Sequence, residues 1–105
     1  YCTSKTTLER IAKGFAIELA EQGIRVNVVE PGFAPGSVVS PLSPEYVERM
    51  LSRIPLGRSS GPDDASGAVL YLASERAAFV TGATLSVDGG NSLGVFEPGP
   101  IGGKR

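Results

Sequence analysis

The sequence predicts an α/β fold in which helices cover a parallel, doubly wound sheet. The run 24–30 is rich in β-branched residues, and the run 83–87 is a short apolar stretch. Each run is followed by a glycine-containing turn signal, as strands commonly are. Amphipathic helical patterns lie before the first run and between the two runs. A strand, a crossover that contains helices and a second strand form a unit that is typical of parallel sheets.

The first helix is predicted from apolar residues that recur at the i, i+3, i+4 and i+7 spacing of one buried helix face. Those residues are Leu8, Ile11, Ala12, Phe15, Ala16, Leu19 and Ala20. Gly23 follows at a place where a left-handed cap is expected. The first strand, Ile24 to Glu30, is then closed by Pro31-Gly32. We therefore expect a helix, a glycine cap and a buried strand in that order.

The middle of the chain begins with a loop that is rich in proline and glycine, from Pro31 to Pro41. Ser43-Pro44-Glu45 then has the residue types of a helix start, namely a capping serine, a proline and an early acid. The buried face of this helix is predicted to be Val47, Met50, Leu51 and Ile54. Another helix is expected to begin near Pro62, with Asp63 and Asp64 as acids in its first turn. Arg58 is expected to pair with a carboxylate, and steering of an anionic substrate is the alternative role for it.

The composition excludes several classes of function. A net charge of −1 does not favour nucleic acid or an anionic membrane surface as a partner, and no apolar run is long enough to span a bilayer. The chain contains no histidine and one cysteine. A Ser-His-Asp centre, a Cys-His centre and a zinc cluster cannot be built from these residues, so we expect no metal site. The single cysteine is consistent with a reducing compartment, which favours the cytoplasm.

The candidate chemical site is the pair Tyr1 and Lys5, which are four residues apart and share a helix face. A phenol has a free pKa of about 10, and lowering that pKa to about 7 requires roughly 4 kcal/mol in favour of the phenolate. A lysine ammonium at about 4 Å supplies roughly that energy at an effective dielectric constant near 20. The pair therefore suits a proton donor or acceptor for a carbonyl or alcohol oxygen. A solvated surface pair is the alternative interpretation of these two residues alone.

The segment Tyr1-Cys2-Thr3-Ser4-Lys5 resembles the Tyr-x-x-Ser-Lys segment of short-chain dehydrogenases/reductases. Further motifs of that family follow in its usual order and spacing. They are 23–32 (a strand with a Pro-Gly exit), 55–58 (Pro-Leu-Gly-Arg), 67–74, 81–82 (Thr-Gly) and 87–90 (Val-Asp-Gly-Gly). The resemblance runs from Tyr1 to Gly90. It makes the catalytic interpretation of Tyr1 and Lys5 the preferred one.

The resemblance implies a Rossmann-type doubly wound parallel sheet, of which this chain holds the last two strands and their helices. Residues 1–90 would be the C-terminal part of a single domain, and residues 91–105 a tail that is rich in glycine and proline. Because two apolar strands cannot form such a sheet alone, we expect an N-terminal half, in this polypeptide or in a companion chain. That half is expected to hold the glycine-rich phosphate loop and a catalytic serine and asparagine.

The resemblance also implies the roles of individual residues. Tyr1 would donate a proton to a ketone or accept one from a secondary alcohol, as in 3-oxoacyl reductases and other alcohol dehydrogenases. Lys5 would lower the pKa of Tyr1 and bind the ribose of NAD or NADP. The loop that starts with Pro31, Gly32, Phe33 and Ala34 would lie against the nicotinamide, near the carboxyl end of its strand. At the position where many relatives have a threonine this chain has Gly36, so either Ser37 replaces that cofactor contact or the contact is lost.

The resemblance further implies a homo-oligomer, a dimer or a tetramer. The alternative to an enzyme is a non-catalytic fragment, or an oligomerisation module, of a protein of this family. Loss of turnover on replacing Tyr1 distinguishes the two hypotheses.

Overall fold

The computed structural model describes residues 2–35 and 42–94, with only the backbone described for residues 2–4. The helices of this part are α1 (Cys2–Leu19), α2 (Pro44–Leu51) and α3 (Pro62–Ala73). The strands are β1 (Val28–Pro31) and β2 (Thr84–Val87), and they pair side by side in a parallel sheet. The α/β class and the parallel sheet that the sequence predicts are confirmed. The described residues form two compact units, 2–30 with 66–85, and 31–35 and 42–65 with 86–94.

Helix α1 buries a narrower face than its apolar pattern predicts. Ala12 and Ala16 are buried, whereas Leu8, Ile11 and Phe15 are about half exposed. Small side chains let α1 lie close to Gly82, because a Cβ at Gly82 would be 3.7 Å from the Ala16 Cβ. Lys13 Nζ also donates to the Gly82 carbonyl oxygen at 2.8 Å. These contacts fix the second half of α1 against the segment that leads into β2.

Strand β1 begins at Val28, so the predicted start at Ile24 is wrong. Side chains make several of the bonds that link residues 25–27 to residues 80–83. Asn27 donates through Nδ2 to the Val80 carbonyl oxygen at 3.0 Å and accepts from the Ala83 N–H at 2.9 Å. The Val26 N–H donates to Thr81 Oγ1 at 3.0 Å. The segment is therefore extended and held, but it does not form a regular backbone ladder until Val28.

The second unit contains α2, whose start is the one predicted. The Ser43 side chain accepts from the Tyr46 N–H at 3.2 Å and so caps the helix. The helix ends at Leu51, earlier than predicted, and Ile54 lies beyond it. Ile54 is only 2% exposed, so it belongs to the core as expected. It packs against the turn after β2, where a Cβ at Gly89 would lie 2.7 Å from Ile54 Cγ2.

Candidate functional site

The two residues of the predicted proton-transfer pair differ in how far the structure describes them. Lys5 lies in the first turns of α1 and is half-buried. Tyr1 lies outside the described residues, as does Ser37. The roles of Tyr1, Lys5 and Ser37 therefore stay predictions.

Four of the predicted cofactor contacts are consecutive in the chain. Pro31 is the last residue of β1, and Gly32, Phe33 and Ala34 follow it. They therefore lie at the carboxyl end of a parallel strand and just beyond it, where ligands of open α/β sheets bind. We call residues 31–34 the β1 exit loop.

Gly32 lies in direct backbone contact with the residue that follows β2. A Cβ at Gly32 would lie 2.6 Å from Asp88 Cα and 2.9 Å from Asp88 Cβ. It would also lie 3.3 Å from the Val87 carbonyl oxygen. Real Cβ contacts are not this short, so a side chain at this position requires the two loops to separate. Gly32 is needed here for close approach rather than for an unusual φ angle.

Asp88 organises the turn after β2, which we call the Asp88 turn (residues 88–92). Its carboxylate accepts from the Gly90 N–H and from the Ser92 N–H, each at 3.0 Å. Gly89 and Gly90 both have positive φ angles, 65° and 94°, which glycine adopts without strain. Partial burial raises the pKa of Asp88, but the hydrogen bonds from Ser92 and Gly90 outweigh it and hold that pKa below its ordinary value.

Phe33 is fixed from two sides within the second unit. Its carbonyl oxygen accepts from the Ser60 N–H at 2.8 Å. Its ring meets the Tyr46 ring edge-on, with the centroids 6.3 Å apart and the planes at 73°. The guanidinium carbon of Arg49 lies 5.8 Å from the centroid of the Tyr46 ring. The β1 exit loop therefore rests on α2 as well as on the Asp88 turn.

A cavity of about 620 Å³ opens beside the β1 exit loop, a volume within the range of small-molecule sites. It is mainly apolar, with hydroxyl groups and one ion pair at its wall. Phe33, Ile54, Leu56 and Leu93 contribute apolar surface, and Ser59, Ser60 and Ser92 contribute hydroxyls.

The ion pair at the cavity wall joins Arg58 to Asp64. The two side chains make a bidentate contact, with Nη1 to Oδ2 at 2.8 Å and Nη2 to Oδ1 at 3.1 Å. Asp64 also accepts from the Gly61 N–H at 2.6 Å. The hydrogen bond from Arg58 and the one from Gly61 lower the pKa of Asp64 to about 2. The predicted pairing of Arg58 with a carboxylate is confirmed, and that carboxylate also starts α3.

Neither a metal-binding cluster nor a membrane-spanning helix is present in the described part of the chain. Within residues 2–35 and 42–94, no three side chains of the types that bind metals come together as a possible site. No helix in this part of the chain is long and apolar enough to cross a membrane.

The comparison with family models identifies the chain. A model described as enoyl-(acyl carrier protein) reductase matches residues 1–92. A short-chain type dehydrogenase/reductase from Mycobacterium marinum has the same fold, with a TM-score of 0.73 and 37% identity over 90% of this chain. The chain belongs to the short-chain dehydrogenase/reductase family. The doubly wound fold of that family is therefore the fold to which β1, β2 and their helices belong.

Other members of the family are similar over most of the chain. A 4-formylbenzenesulfonate dehydrogenase of Comamonas testosteroni is 42% identical over 89% of this chain and 39% of its own length. A 3-oxoacyl-(acyl-carrier-protein) reductase of Rickettsia felis is 40% identical over 86% of this chain and 37% of its own length. A hydroxysteroid dehydrogenase from Escherichia coli superposes with a TM-score of 0.75 at 34% identity, over 86% of this chain and 37% of its own. The chain thus spans less than two fifths of the length of these relatives.

Sequence reasoning missed two residues that organise the site and its support. The sequence predicts Asp88 only as part of a turn and of the family motif 87–90, and Asn27 only as part of a strand and of the family motif 23–32. An Asp before two glycines does carry a signal, because an Asp side chain commonly accepts from a backbone N–H two residues later. The two hydrogen bonds of the Asn27 side chain, to Val80 and from Ala83, have no such local signal, because these partners lie more than 50 residues away.

Proposed function

We propose that this chain supplies the proton-transfer pair and part of the nicotinamide site of an NAD- or NADP-dependent oxidoreductase. The proposed reaction interconverts a secondary alcohol and a ketone, as the name of the 3-oxoacyl reductase suggests for that relative. The observation that carries the proposal is the family match over residues 1–92, which includes both Tyr1 and Lys5. The names of the relatives, dehydrogenases and reductases, support oxidoreductase chemistry in general.

The proposed chemistry of the chain's own residues is proton transfer. In ketone reduction the Tyr1 hydroxyl donates a proton to the carbonyl oxygen, and in alcohol oxidation the phenolate accepts it. Lys5 stabilises the phenolate because an ammonium group favours the charged form of a nearby acid. The bound nicotinamide would supply or accept the hydride.

The β1 exit loop has the properties that a nicotinamide ring requires. The reduced ring is flat and uncharged and carries a polar carboxamide, so an apolar wall with backbone polar groups beside it suits the ring. Gly32 and Phe33 line such a wall, and the charges of Arg58 and Asp64 are balanced by each other. Gly32 and Phe33 therefore fit the group, and Pro31 and Ala34, next to them in the chain, are proposed to hold it with them.

We also propose that the rest of the domain covers the exposed face of α1. Leu8, Ile11 and Phe15 follow one another at i, i+3 and i+7 and are each about half exposed. An apolar stripe of this kind is stable when another element covers it. The relatives are more than twice as long as the matched region, which leaves a large part of their domain to do so. Assembly of the whole protein into dimers or tetramers, in the cytoplasm, belongs to the same proposal.

Replacement of Tyr1 tests the proposal. The whole protein with Tyr1→Phe is expected to lose about 10²- to 10⁴-fold in turnover of secondary alcohols with NAD⁺ or NADP⁺, the usual contribution of general acid–base catalysis. Tyr71→Phe is the matched control, since it makes the same change on an exposed tyrosine of α3 and should keep full activity. Turnover of Tyr1→Phe close to that of the parent protein would contradict the proposal and favour a non-catalytic module.

Replacement of Lys5 adds a readout specific to its role. Without the ammonium group the pKa of Tyr1 rises, so less phenolate is present at a given pH. The pH profile of alcohol oxidation by Lys5→Ala is therefore expected to move to higher pH, with lower turnover near neutrality. An unchanged profile would exclude Lys5 as the group that lowers the pKa of Tyr1.

A further inference from the structure

We propose that Asp88 is a positioning residue for the nicotinamide nucleotide. It does not touch the nucleotide but holds the β1 exit loop in position, and the loop contacts the nucleotide. The inference rests on the proposed function, because it assigns a role to a residue outside the set that would touch the cofactor. Three contacts within the second unit carry it.

The first contact is the one between the two backbones. The place of a Gly32 Cβ is 2.6 Å from Asp88 Cα, so no side-chain atom separates the β1 exit loop from the Asp88 turn. Glycine at position 32 brings the loop to its closest possible distance. Any displacement of the Asp88 backbone is therefore passed directly to Gly32, because close-packed atoms transmit displacement rather than absorb it.

The second contact fixes the Asp88 backbone itself. One carboxylate oxygen accepts from the Gly90 N–H and the other from the Ser92 N–H, while the Asp88 carbonyl oxygen accepts from the Asn91 N–H at 3.2 Å. The carboxylate thus closes the turn at two points. Its removal would take this acceptor from the half-buried Gly90 N–H and from the exposed Ser92 N–H, a loss that favours other conformations of the turn.

The third contact joins the turn to the core. The Leu56 N–H donates to the Gly89 carbonyl oxygen at 3.1 Å, and the place of a Gly90 Cβ is 3.0 Å from Pro55 Cγ. Ile54, almost fully buried, lies directly before these residues. The Asp88 turn is therefore a rigid base between the core and the β1 exit loop, and the carboxylate of Asp88 is the group that keeps it closed.

The experiment compares Asp88→Ala and Asp88→Asn with the parent in the whole protein. Asp63→Ala is the matched control, since Asp63 is an exposed acid in the first turn of α3. Amide hydrogen exchange of residues 31–35 reports the place of the loop without any ligand. Titration with NADH and NADPH reports nucleotide affinity, and the KM for nucleotide is measured beside kcat.

In Asp88→Ala, exchange of the Phe33 and Ala34 amides is expected to be about ten-fold faster, as in a locally opened segment. The Kd for the preferred nucleotide should rise about ten-fold, which corresponds to about 1.4 kcal/mol. Asp88→Asn keeps one acceptor oxygen and should fall between the parent and the alanine variant. It also serves as the test variant if Asp88→Ala does not fold. Asp63→Ala should match the parent in all three measurements.

Three results would overturn the inference. Unchanged amide exchange of residues 31–35 in both Asp88 variants would show that the Asp88 turn does not hold the β1 exit loop in position. Faster exchange with unchanged nucleotide Kd would show that the loop, although set by Asp88, does not hold the nucleotide. A parent protein that binds neither nucleotide would overturn the proposed function and this inference together, and the exchange result would still distinguish that case from a failure of the Asp88 contact.

Discussion

Arg58 and Asp64 lie six residues apart and hold each other through two parallel hydrogen bonds of 2.8 and 3.1 Å. The same carboxylate accepts from the Gly61 N–H, three residues before it in the chain. The pair therefore fixes the turn that enters α3 at one wall of the cavity beside the β1 exit loop. A planar guanidinium suits this two-point contact better than an ammonium group does.

The Asp64 contact predicts a dependence of stability on acid pH. The pKa of Asp64 is lowered from 3.8 to about 2 in the folded chain, so the folded state favours the carboxylate more than the unfolded state does. The stabilisation is therefore fully present above about pH 3.8 and is lost as the pH falls towards 2. The melting temperature of Asp64→Asn should lie below that of the parent near neutrality. The two melting temperatures should converge as the pH falls from 3.8 towards 2.

The matched control for this titration is Asp63→Asn. Asp63 is the neighbouring exposed acid in the first turn of α3, so Asp63→Asn removes the same charge from the helix start without removing the contact to Arg58, and it should change the acid profile less than Asp64→Asn does. A gap between parent and Asp64→Asn that is the same at pH 2 as at pH 7 would contradict the assignment. Since Arg58 is 63% exposed, the effect at neutrality is expected to be small and to shrink with added salt.

Two glycines predict opposite effects of the same substitution. Gly23 has a φ of 74° and nothing within 4 Å of an added Cβ, so Gly23→Ala is strained by its backbone alone. We expect it to lose about 1–2 kcal/mol. Gly14 lies inside α1 with the same open space, and Gly14→Ala should gain about 0.5–1 kcal/mol. Thermal unfolding measures the change in stability of each variant relative to the parent. A change of the same sign in both variants would contradict the expectation.

The sequence was most informative where structure depends on near neighbours. The Ser43 cap, the left-handed Gly23 and the start of α3 at Pro62 each follow from one or two adjacent residues. The order of helices and strands followed from periodicity, for the same reason. The family motifs at 31–32 and 87–90 then located the two strand ends that meet at Gly32 and Asp88.

The sequence was least informative where contacts join distant segments. The start of β1 moved from Ile24 to Val28 because Asn27 and Thr81 bond through their side chains, which no local pattern predicts. The exposure of Phe15 beside the buried Ala16 depends on how closely α1 approaches Gly82. The contact between Gly32 and Asp88 spans more than 50 residues, and the sequence indicated only that each residue ends a strand.

Asn27 predicts a stability effect outside any candidate site. Its side chain donates to Val80 and accepts from Ala83, so Asn27→Ala removes two hydrogen bonds and should cost about 1–3 kcal/mol. Asn91→Ala is the matched control, because it keeps the backbone bond from Asn91 to Asp88 and should change stability by less than about 0.5 kcal/mol. Denaturant unfolding of the two variants checks the expectation. If Asn27→Ala lowers the free energy of unfolding no more than Asn91→Ala does, the two side-chain hydrogen bonds of Asn27 do not stabilise the fold.

Replacement of Ile54 is expected to cost more stability than any other single substitution in the second unit. Ile54 is 2% exposed and packs under the Asp88 turn, so Ile54→Ala should cost about 2–5 kcal/mol by leaving a cavity. Ile54→Val removes one methyl group and should cost about 0.5–1.5 kcal/mol. Leu56→Ala is the comparison, since Leu56 is 73% exposed and should lose far less. If Leu56→Ala lowers the melting temperature as much as Ile54→Ala does, then Ile54 does not anchor this unit.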